Sequence, residues 1–211
     1  MPHLNLQEQE RINKLKYFWS DWGKYIVGIL VVVLIAYASN VFWTWKNESQ
    51  AAKASIIYEQ FTNNVNLGNQ NAVYSLAKQL EIEYPKVEYT ALASIWAAKI
   101  AWSNKDVVDA ILFLTWAINN VKDKGLVGFA KLRLATIYID QEKFDQALKL
   151  LMEKHDPAFD IQYYTERGDL YVAKNDLAKA RDAYKEAIQK AGQDTNAVQT
   201  IQLKLDVLGG S

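Results

Sequence analysis

The sequence contains no cysteine, which excludes disulfide bonds, thiol nucleophiles and metal sites with cysteine ligands. Histidine is almost as scarce, since only His3 and His155 occur. His155 lies beside Asp156-Pro157 in a predicted turn, where we expect a solvated side chain. The nine glycines are scattered, which argues against a glycine-rich phosphate-binding loop. These absences leave few residues for chemistry, and we predict a protein that is not an enzyme and holds no cofactor or metal.

The charges are balanced, with 24 basic and 24 acidic residues. No basic excess is available to neutralise phosphates, which argues against a nucleic-acid partner. Proline occurs only three times. After residue 46, Val, Ile and Thr do not alternate with polar residues, as they would in a half-buried strand. The chain is therefore predicted to be all-α.

One long apolar run stands out near the N-terminus. Tyr25–Trp45 contains no charged residue and is bounded by Lys24 and Lys46. At 1.5 Å of rise per residue, a helix of this length covers about 31 Å, close to the hydrocarbon thickness of a bilayer. Aromatic residues crowd both ends of the run, as expected at the two membrane interfaces. The run predicts a single transmembrane helix over residues 25–45.

Two other interpretations of this run were weighed. Buried core helices rarely reach this length without a charge. A cleavable signal peptide is the second alternative, and Ala36-Tyr37-Ala38 resembles a cleavage site, but it lies inside the apolar run. We therefore predict a retained anchor in the lipid bilayer. Its small residues could let another helix approach closely, or they could simply face lipid.

The charges that flank the run predict its orientation. Four basic residues precede it, and only two fall among the first twenty residues after it. Positive charge tends to stay on the cytoplasmic side. The bias predicts a single-pass type II protein, with residues 1–24 in the cytoplasm and residues 46–211 outside it.

Apolar residues after the anchor recur at three- and four-residue spacing, which predicts a series of helices joined by short polar links. Short links make neighbouring helices antiparallel, so we expect helical hairpins. The predicted helices span residues 48–66, 71–84, 89–103, 107–121, 127–141, 144–153, 160–174, 177–190 and 195–208.

The hairpins resemble one another, and the clearest of them, residues 161–194, resembles the tetratricopeptide consensus with its period of about 34 residues. Small residues are needed where the two helices of a hairpin cross, and an aromatic residue fills the space beside them. Thr195–Leu208 is predicted to be a terminal capping helix that covers the last hairpin. The residues that mark this repeat pattern are Ala98, Ala110, Ala135, Tyr138, Ala147, Gly168, Tyr171, Ala180, Tyr184 and Ala187.

Stacked hairpins of this type form a groove lined by the first helix of each pair. Its first two parts are mainly apolar, which would suit an extended or helical peptide with exposed hydrophobic residues. The alternative is that these side chains belong to the core or are covered by the capping helix. The predicted groove residues are Leu92, Ile95, Lys99, Trp102, Phe129, Leu132, Thr136, Ile139, Gln162, Thr165, Asp169 and Val172.

The order of features along nearly the whole chain resembles one family, the YfgM-type ancillary subunits of the bacterial SecYEG translocon. The segments that carry the resemblance are Lys16–Lys24, Phe42–Lys46, Tyr89–Ser94, Leu132–Ala135 and Arg167–Asp169. The resemblance implies an inner-membrane protein with periplasmic repeats and no catalytic residues. It also implies association with the SecYEG translocon and with a membrane-anchored periplasmic prolyl isomerase.

Our leading hypothesis is therefore a non-enzymatic scaffold or chaperone accessory at the translocon, which helps to transfer exported polypeptides to periplasmic chaperones. The alternative is a tethered repeat adaptor that sequesters a signalling regulator or acts as an import-type receptor. A cytoplasmic repeat domain would favour the alternative. An enzyme is disfavoured because no cluster of nucleophile, base or metal ligands is present.

Overall fold

The computed structural model describes residues 6–209, with side chains at every position except 6–9 and 15. His3 and the rest of residues 1–5 of the predicted cytoplasmic segment, and residues 210–211, lie outside this range. Most of the described residues are helical, and none of them lies in a strand. The helices are α1 Leu6–Asn66, α2 Gln70–Glu83, α3 Glu88–Ser103, α4 Val107–Asn120, α5 Lys124–Asp140, α6 Phe144–Met152, α7 Asp160–Ala173, α8 Leu177–Ala191 and α9 Thr195–Val207, with a short 3-10 helix at Pro157–Phe159.

The all-α prediction is confirmed, and α2 to α9 begin and end within one residue of the predicted bounds, except at one point. Helix α5 begins three residues earlier than predicted, because the Asp123 side chain accepts a hydrogen bond from the Leu126 amide at 2.8 Å and caps the helix there. The prediction of a separate helix over residues 48–66 was wrong, although these residues are helical. They are the end of α1, which contains neither proline nor glycine after Gly28 to interrupt it.

The chain divides into two compact units, one ending at Ala52 and the other beginning at Lys53. The first unit contains the apolar part of α1, which is long and apolar enough to cross a membrane. Its side chains are exposed, for example Val32 at 65% and Ile35 at 61%, which argues against a buried core helix and suits contact with lipid. The second unit contains the last part of α1 and all the following helices.

Within the second unit, four hairpins share one turn geometry. Each turn contains a residue with positive φ, at Gly68, Lys105, Glu142 and Asn175, so the turns are 37, 37 and 33 residues apart. The amide that follows each of these residues bonds to a carbonyl five positions earlier; for example, the Asp176 amide lies 2.8 Å from the Tyr171 carbonyl oxygen. This pattern satisfies carbonyls that the end of a helix leaves unpaired. The repeated turn confirms the repeat architecture. The first hairpin, formed by the end of α1 and by α2, has the same turn and therefore belongs to the array.

Two buried positions recur seven residues before and nine residues after each of these turn residues, and we call them the crossing pairs. In the last hairpin a Cβ atom added to Gly168 would lie 2.2 Å from the Tyr184 ring, so only glycine fits there. In the first hairpin the large residue is on the opposite helix. The crossing pairs are Phe61 with Ala77, Ala98 with Leu114, Ala135 with Leu151, and Gly168 with Tyr184.

The residues predicted to mark the repeat pattern are mostly buried. All ten are buried except Tyr138 and Tyr171, which are half-buried and pack against the core. Ile201 of α9 is 2% exposed and shares a core cluster with Ala180 and Tyr184 of α8. Helix α9 therefore covers the last hairpin. Arg181 ties the end of α9 to α8 by donating to the Leu208 carbonyl oxygen at 2.5 Å. The predicted capping helix is thereby confirmed.

His155 is not the solvated turn residue that we expected. It is half-buried, and its ring stacks on Tyr163 with 3.7 Å between the ring centroids. Its Nδ1 lies 3.0 Å from the Glu153 carbonyl oxygen, and its Nε2 lies 3.0 Å from Oδ1 of Asp160. The Tyr163 hydroxyl donates to the Gly128 carbonyl oxygen at 3.2 Å, and burial raises the pKa of Tyr163 to about 12. The histidine therefore holds the link between α6 and α7 in place.

Candidate binding groove

The first helices of successive hairpins lie side by side and leave a groove between α3 and α5. Its volume is about 460 Å³, and we call it the α3/α5 groove. Helix α4 packs against both α3 and α5 and holds them on either side of the groove. The lining residues are Ile95, Trp96, Ala98, Lys99, Trp102, Ser103, Leu114, Phe129, Arg133, Thr136 and Ile137.

The α3/α5 groove is mainly apolar. Ala98, Leu114 and Ile137 are buried and form its floor. Trp96 remains 46% exposed, and Trp102 and Phe129 are half-buried. Exposed aromatic side chains with a buried floor beneath them are typical of surfaces that bind proteins or peptides.

Two cations lie against the aromatic rings of this groove. The Lys99 ammonium is 4.9 Å from the centroid of the Trp96 ring, and the Arg133 guanidinium is 4.8 Å from that of Phe129. Both pairs follow from helix geometry, since residues three or four apart share one face. Neither cation forms an ion pair with any residue in the part of the chain that the structure describes. The groove therefore combines apolar area with two charges that are free to meet a ligand.

A second depression, the α7/α9 cleft, lies between the next first helix and the capping helix and has a volume of about 370 Å³. Two of its charged lining residues, Asp169 and Lys204, pair with each other. Asp169 accepts hydrogen bonds from the Tyr184 hydroxyl and from the Lys204 ammonium, each at 2.6 Å. Burial and the neighbouring Asp169 raise the pKas of Tyr184 and Glu166. The bonds from Asp169 of α7 to Lys204 of α9 hold α9 against the repeats.

The structure divides the predicted groove residues between these two places. Ile95, Lys99, Trp102, Phe129 and Thr136 line the α3/α5 groove. Gln162, Thr165 and Asp169 line the α7/α9 cleft instead.

The remaining four line neither depression. Leu132 is 7% exposed and belongs to the core, so its assignment to the groove was wrong. Ile139 packs against the same core cluster. Leu92 is half-buried, and Val172 is 38% exposed. The single groove expected from the sequence is thus two depressions of different chemistry.

Six lining residues were not among the predicted groove residues, and the two with aromatic or charged side chains are Trp96 and Arg133. The consensus positions place Ile95 and Leu132 in the groove, and each of these two residues is one position further along the helix. An available signal was the spacing of Trp96 to Lys99 and of Phe129 to Arg133, which predicts a cation over an aromatic ring on one helix face. Trp96 and Arg133 complete both pairs.

The described residues include no group of three or more His, Asp or Glu side chains that could hold a metal ion. His155, the histidine within this range, is held by the backbone and by Asp160. The α3/α5 groove contains no carboxylate or histidine among its lining residues. Its arrangement is suited to binding.

Comparison with known proteins places the chain among helical repeat proteins. A family model described as a tetratricopeptide repeat-like domain matches residues 16–210. Among curated proteins, the "Ancillary SecYEG translocon subunit" of Neisseria gonorrhoeae is 26% identical over 97% of this chain and 98% of its own length. Proteins of the same name from Haemophilus influenzae and Escherichia coli are 27% and 25% identical, over 90% and 95% of this chain and 92% and 96% of their own lengths. No solved structure matches.

Proposed function

The chain belongs to the tetratricopeptide repeat-like family, and we propose that it is a membrane-anchored accessory scaffold of the SecYEG translocon. Relatives that carry the translocon name match it almost end to end. The observation that carries this proposal is the coverage of the match. The alignments to N. gonorrhoeae and E. coli include 97% and 95% of this chain, so they include the apolar span as well as the repeats. Repeat domains alone are shared by proteins with many functions.

The anchor sets where the repeats act in this proposal. Residues 25–45 span the inner membrane, residues 1–24 are cytoplasmic, and residues 46–211 form the periplasmic repeat domain. The charge bias around the span supports this type II orientation. A tether raises the effective concentration of the repeats for any partner in the same membrane, so modest affinity suffices.

The α3/α5 groove is the proposed contact for polypeptide. Its apolar floor and its exposed Trp96 match a segment that has not yet buried its own hydrophobic residues. Such segments occur in proteins that have just crossed a membrane and have not folded. We infer that the scaffold holds them briefly and passes them to periplasmic chaperones, including a membrane-anchored prolyl isomerase. The chain acts by binding and not by catalysis.

Site-specific photocrosslinking in native membranes tests the location and the contact together. A photoreactive amino acid replaces Trp96 in the groove, and in a matched control it replaces Leu112 on α4, which is 54% exposed and does not line the groove. We expect crosslinks from position 96 to newly exported polypeptides, and fewer from position 112. Purification of the chain from the same membranes should recover translocon components.

A failure to recover any translocon component would contradict the proposal. A reporter fused to the C-terminus that is active only in the cytoplasm would contradict the orientation and favour the adaptor alternative. Replacing residues 25–45 with an unrelated spanning helix separates the tether from a specific contact within the membrane. Loss of translocon recovery in that variant, with the chain still in the membrane, would assign a contact to the span itself.

A further inference from the structure

We propose that the α3/α5 groove prefers apolar segments that carry Asp or Glu side chains. The inference rests on the proposed function, because it names the class of polypeptide segment that this groove selects. The occupant is an internal stretch of an unfolded chain in which acidic side chains alternate with aromatic or aliphatic ones.

The first argument is charge complementarity. Among the lining residues, Lys99 and Arg133 are the only charged ones, and none is acidic. In the second compact unit, some lysines pair with Asp or Glu, for example Lys78 with Asp109 at 3.0 Å, and others, such as Lys149 and Lys185, pair with no carboxylate that the structure describes. The two groove cations pair with no carboxylate among the described residues. A ligand with acidic side chains would supply the missing partners.

The second argument is the position of the cations. Each is held over its own ring, at 4.9 Å for Lys99 and 4.8 Å for Arg133, so each already lies within the groove. Stacking restricts these long side chains before a ligand arrives, which reduces the entropy lost on forming an ion pair. A lysine or arginine in the same segment of a ligand would instead meet like charge.

The acidic groups of the neighbouring α7/α9 cleft do not line the groove. Arg133 acts electrostatically on Glu166, which is half-buried in the α7/α9 cleft. Desolvation is the largest influence on Glu166 and raises its pKa, while the charge of Arg133 lowers it. Asp169, the other carboxylate of the cleft, is occupied by Lys204 and Tyr184. The groove therefore keeps a positive character.

The arrangement favours acidic side chains over a terminal carboxylate. The two cations lie on different helices, and each is bound to a separate ring. A terminal carboxylate is captured by donors that converge on one point. Two separate charges on two walls suit two acidic side chains, or one that exchanges between them, beside an apolar residue in the groove.

Fluorescence anisotropy with the full-length protein in nanodiscs tests the preference. The probes are labelled 12-residue peptides with amidated C-termini that share one apolar pattern and carry Glu, Gln or Lys at the polar positions. We expect the Glu peptide to bind about tenfold more tightly than the Lys peptide, since each exposed ion pair contributes a factor of a few. The difference should shrink in 0.5 M NaCl, where the screening length is shorter.

Two double variants locate the effect. Lys99→Gln with Arg133→Gln removes the groove cations, and Lys149→Gln with Lys185→Gln makes the same charge change at exposed positions of α6 and α8. We expect the first variant to bind all three peptides alike and the second to keep the wild-type preference. Equal loss in both variants would show a general charge effect and overturn the proposal.

The outcomes separate this inference from the proposed function. If Trp96→Ala weakens all three peptides while Glu and Lys peptides bind the wild-type protein equally, the groove binds polypeptide without the acidic preference, and only this inference fails. If no peptide binds and position 96 yields no crosslinks in membranes, the groove itself fails as a contact. A Glu peptide that binds only with a free C-terminus would assign the cations to a terminal carboxylate and overturn the proposal.

Discussion

The α3/α5 groove and the α7/α9 cleft are built from equivalent helices of the same repeat array, yet they use their charged residues in opposite ways. In the cleft, Asp169 is bound by both Tyr184 and Lys204, so the polar groups hold the capping helix in place. In the groove, Lys99 and Arg133 lie on aromatic rings without a carboxylate partner. Position in the repeat therefore does not decide whether a residue serves the fold or a ligand. The available partners decide it.

The largest expected effect comes from breaking the C-terminal hairpin at its closest contact. Gly168→Ala would place a Cβ atom 2.2 Å from the ring of Tyr184, which is buried and hydrogen-bonded to Asp169 and cannot move away freely. We expect a net loss of about 2 kcal/mol of unfolding free energy, since overpacking typically costs about 1–3 kcal/mol. Urea unfolding of the full chain in detergent, followed by circular dichroism, measures it.

Gly128→Ala is the matched control for this prediction. A Cβ atom there would lie 3.5 Å from the Phe159 ring, an ordinary contact, and alanine favours the helix by about 1 kcal/mol over glycine. This variant should be as stable as the wild type or more stable. If both glycine variants behave alike, the close crossing at Gly168 is not what destabilises the first one.

A smaller effect is expected when one lysine is replaced by glutamine in each of the two regions. Lys204→Gln removes a partner of Asp169, and we expect it to cost up to about 1 kcal/mol, because this ion pair is partly exposed. Lys99→Gln removes a cation that pairs with no carboxylate, and we expect a smaller loss, limited to its exposed contact with the Trp96 ring. Equal losses in the two variants would contradict the distinction between a structural and a free lysine.

The smallest effect concerns the pH dependence of stability in the cleft. Desolvation, followed by the charge of Asp169, raises the pKa of Glu166 in the folded protein. The folded state therefore favours the protonated acid. The stabilisation from this group is fully present below the pKa of the unfolded carboxyl, about 4.3, and it is lost as pH rises through the folded pKa.

Glu166→Gln removes this titration. We expect the Glu166→Gln variant to gain stability relative to the wild type as pH rises from about 4 to about 8. Thermal melts at a series of pH values measure the difference, and Glu186→Gln, which removes an exposed carboxylate on α8, is the control. A difference between the Glu166→Gln variant and the wild type that does not change with pH would contradict the assigned direction.

The fold was largely predictable because local signals agreed with one another. Polar turns ended the helices, Asp176 and Asp194 capped the next ones, and the apolar spacing predicted which faces are buried. The first hairpin was not recognised as a repeat from its sequence, because its crossing pair has Phe61 at the position where the other hairpins have a small residue. The continuity of α1 was missed because a change in composition after Trp45 was interpreted as a boundary, although no residue there interrupts a helix.

The candidate site was less predictable, because consensus positions indicate which helix face is used but not which side chains reach past it. Leu132 lies on the expected face and is buried, while Arg133 beside it lines the groove. The pairing of Asp169 with Lys204 joins residues 35 positions apart, and no local pattern connects them. The division into a free groove and an occupied cleft therefore required the three-dimensional arrangement.

The crossing pairs have a consequence for how such arrays can be recombined. Because a large residue on one helix is matched by a small residue on the other, the helices of the first and last hairpins cannot be exchanged separately without a size mismatch. A chimera cut at the hairpin turns could join the helix of Phe61 to that of Tyr184, with two large rings at one crossing, or the helix of Gly168 to that of Ala77, with an empty crossing. Recombination between hairpins preserves every crossing pair, and recombination within a hairpin preserves the size match only between the two middle hairpins, which share an Ala–Leu pair.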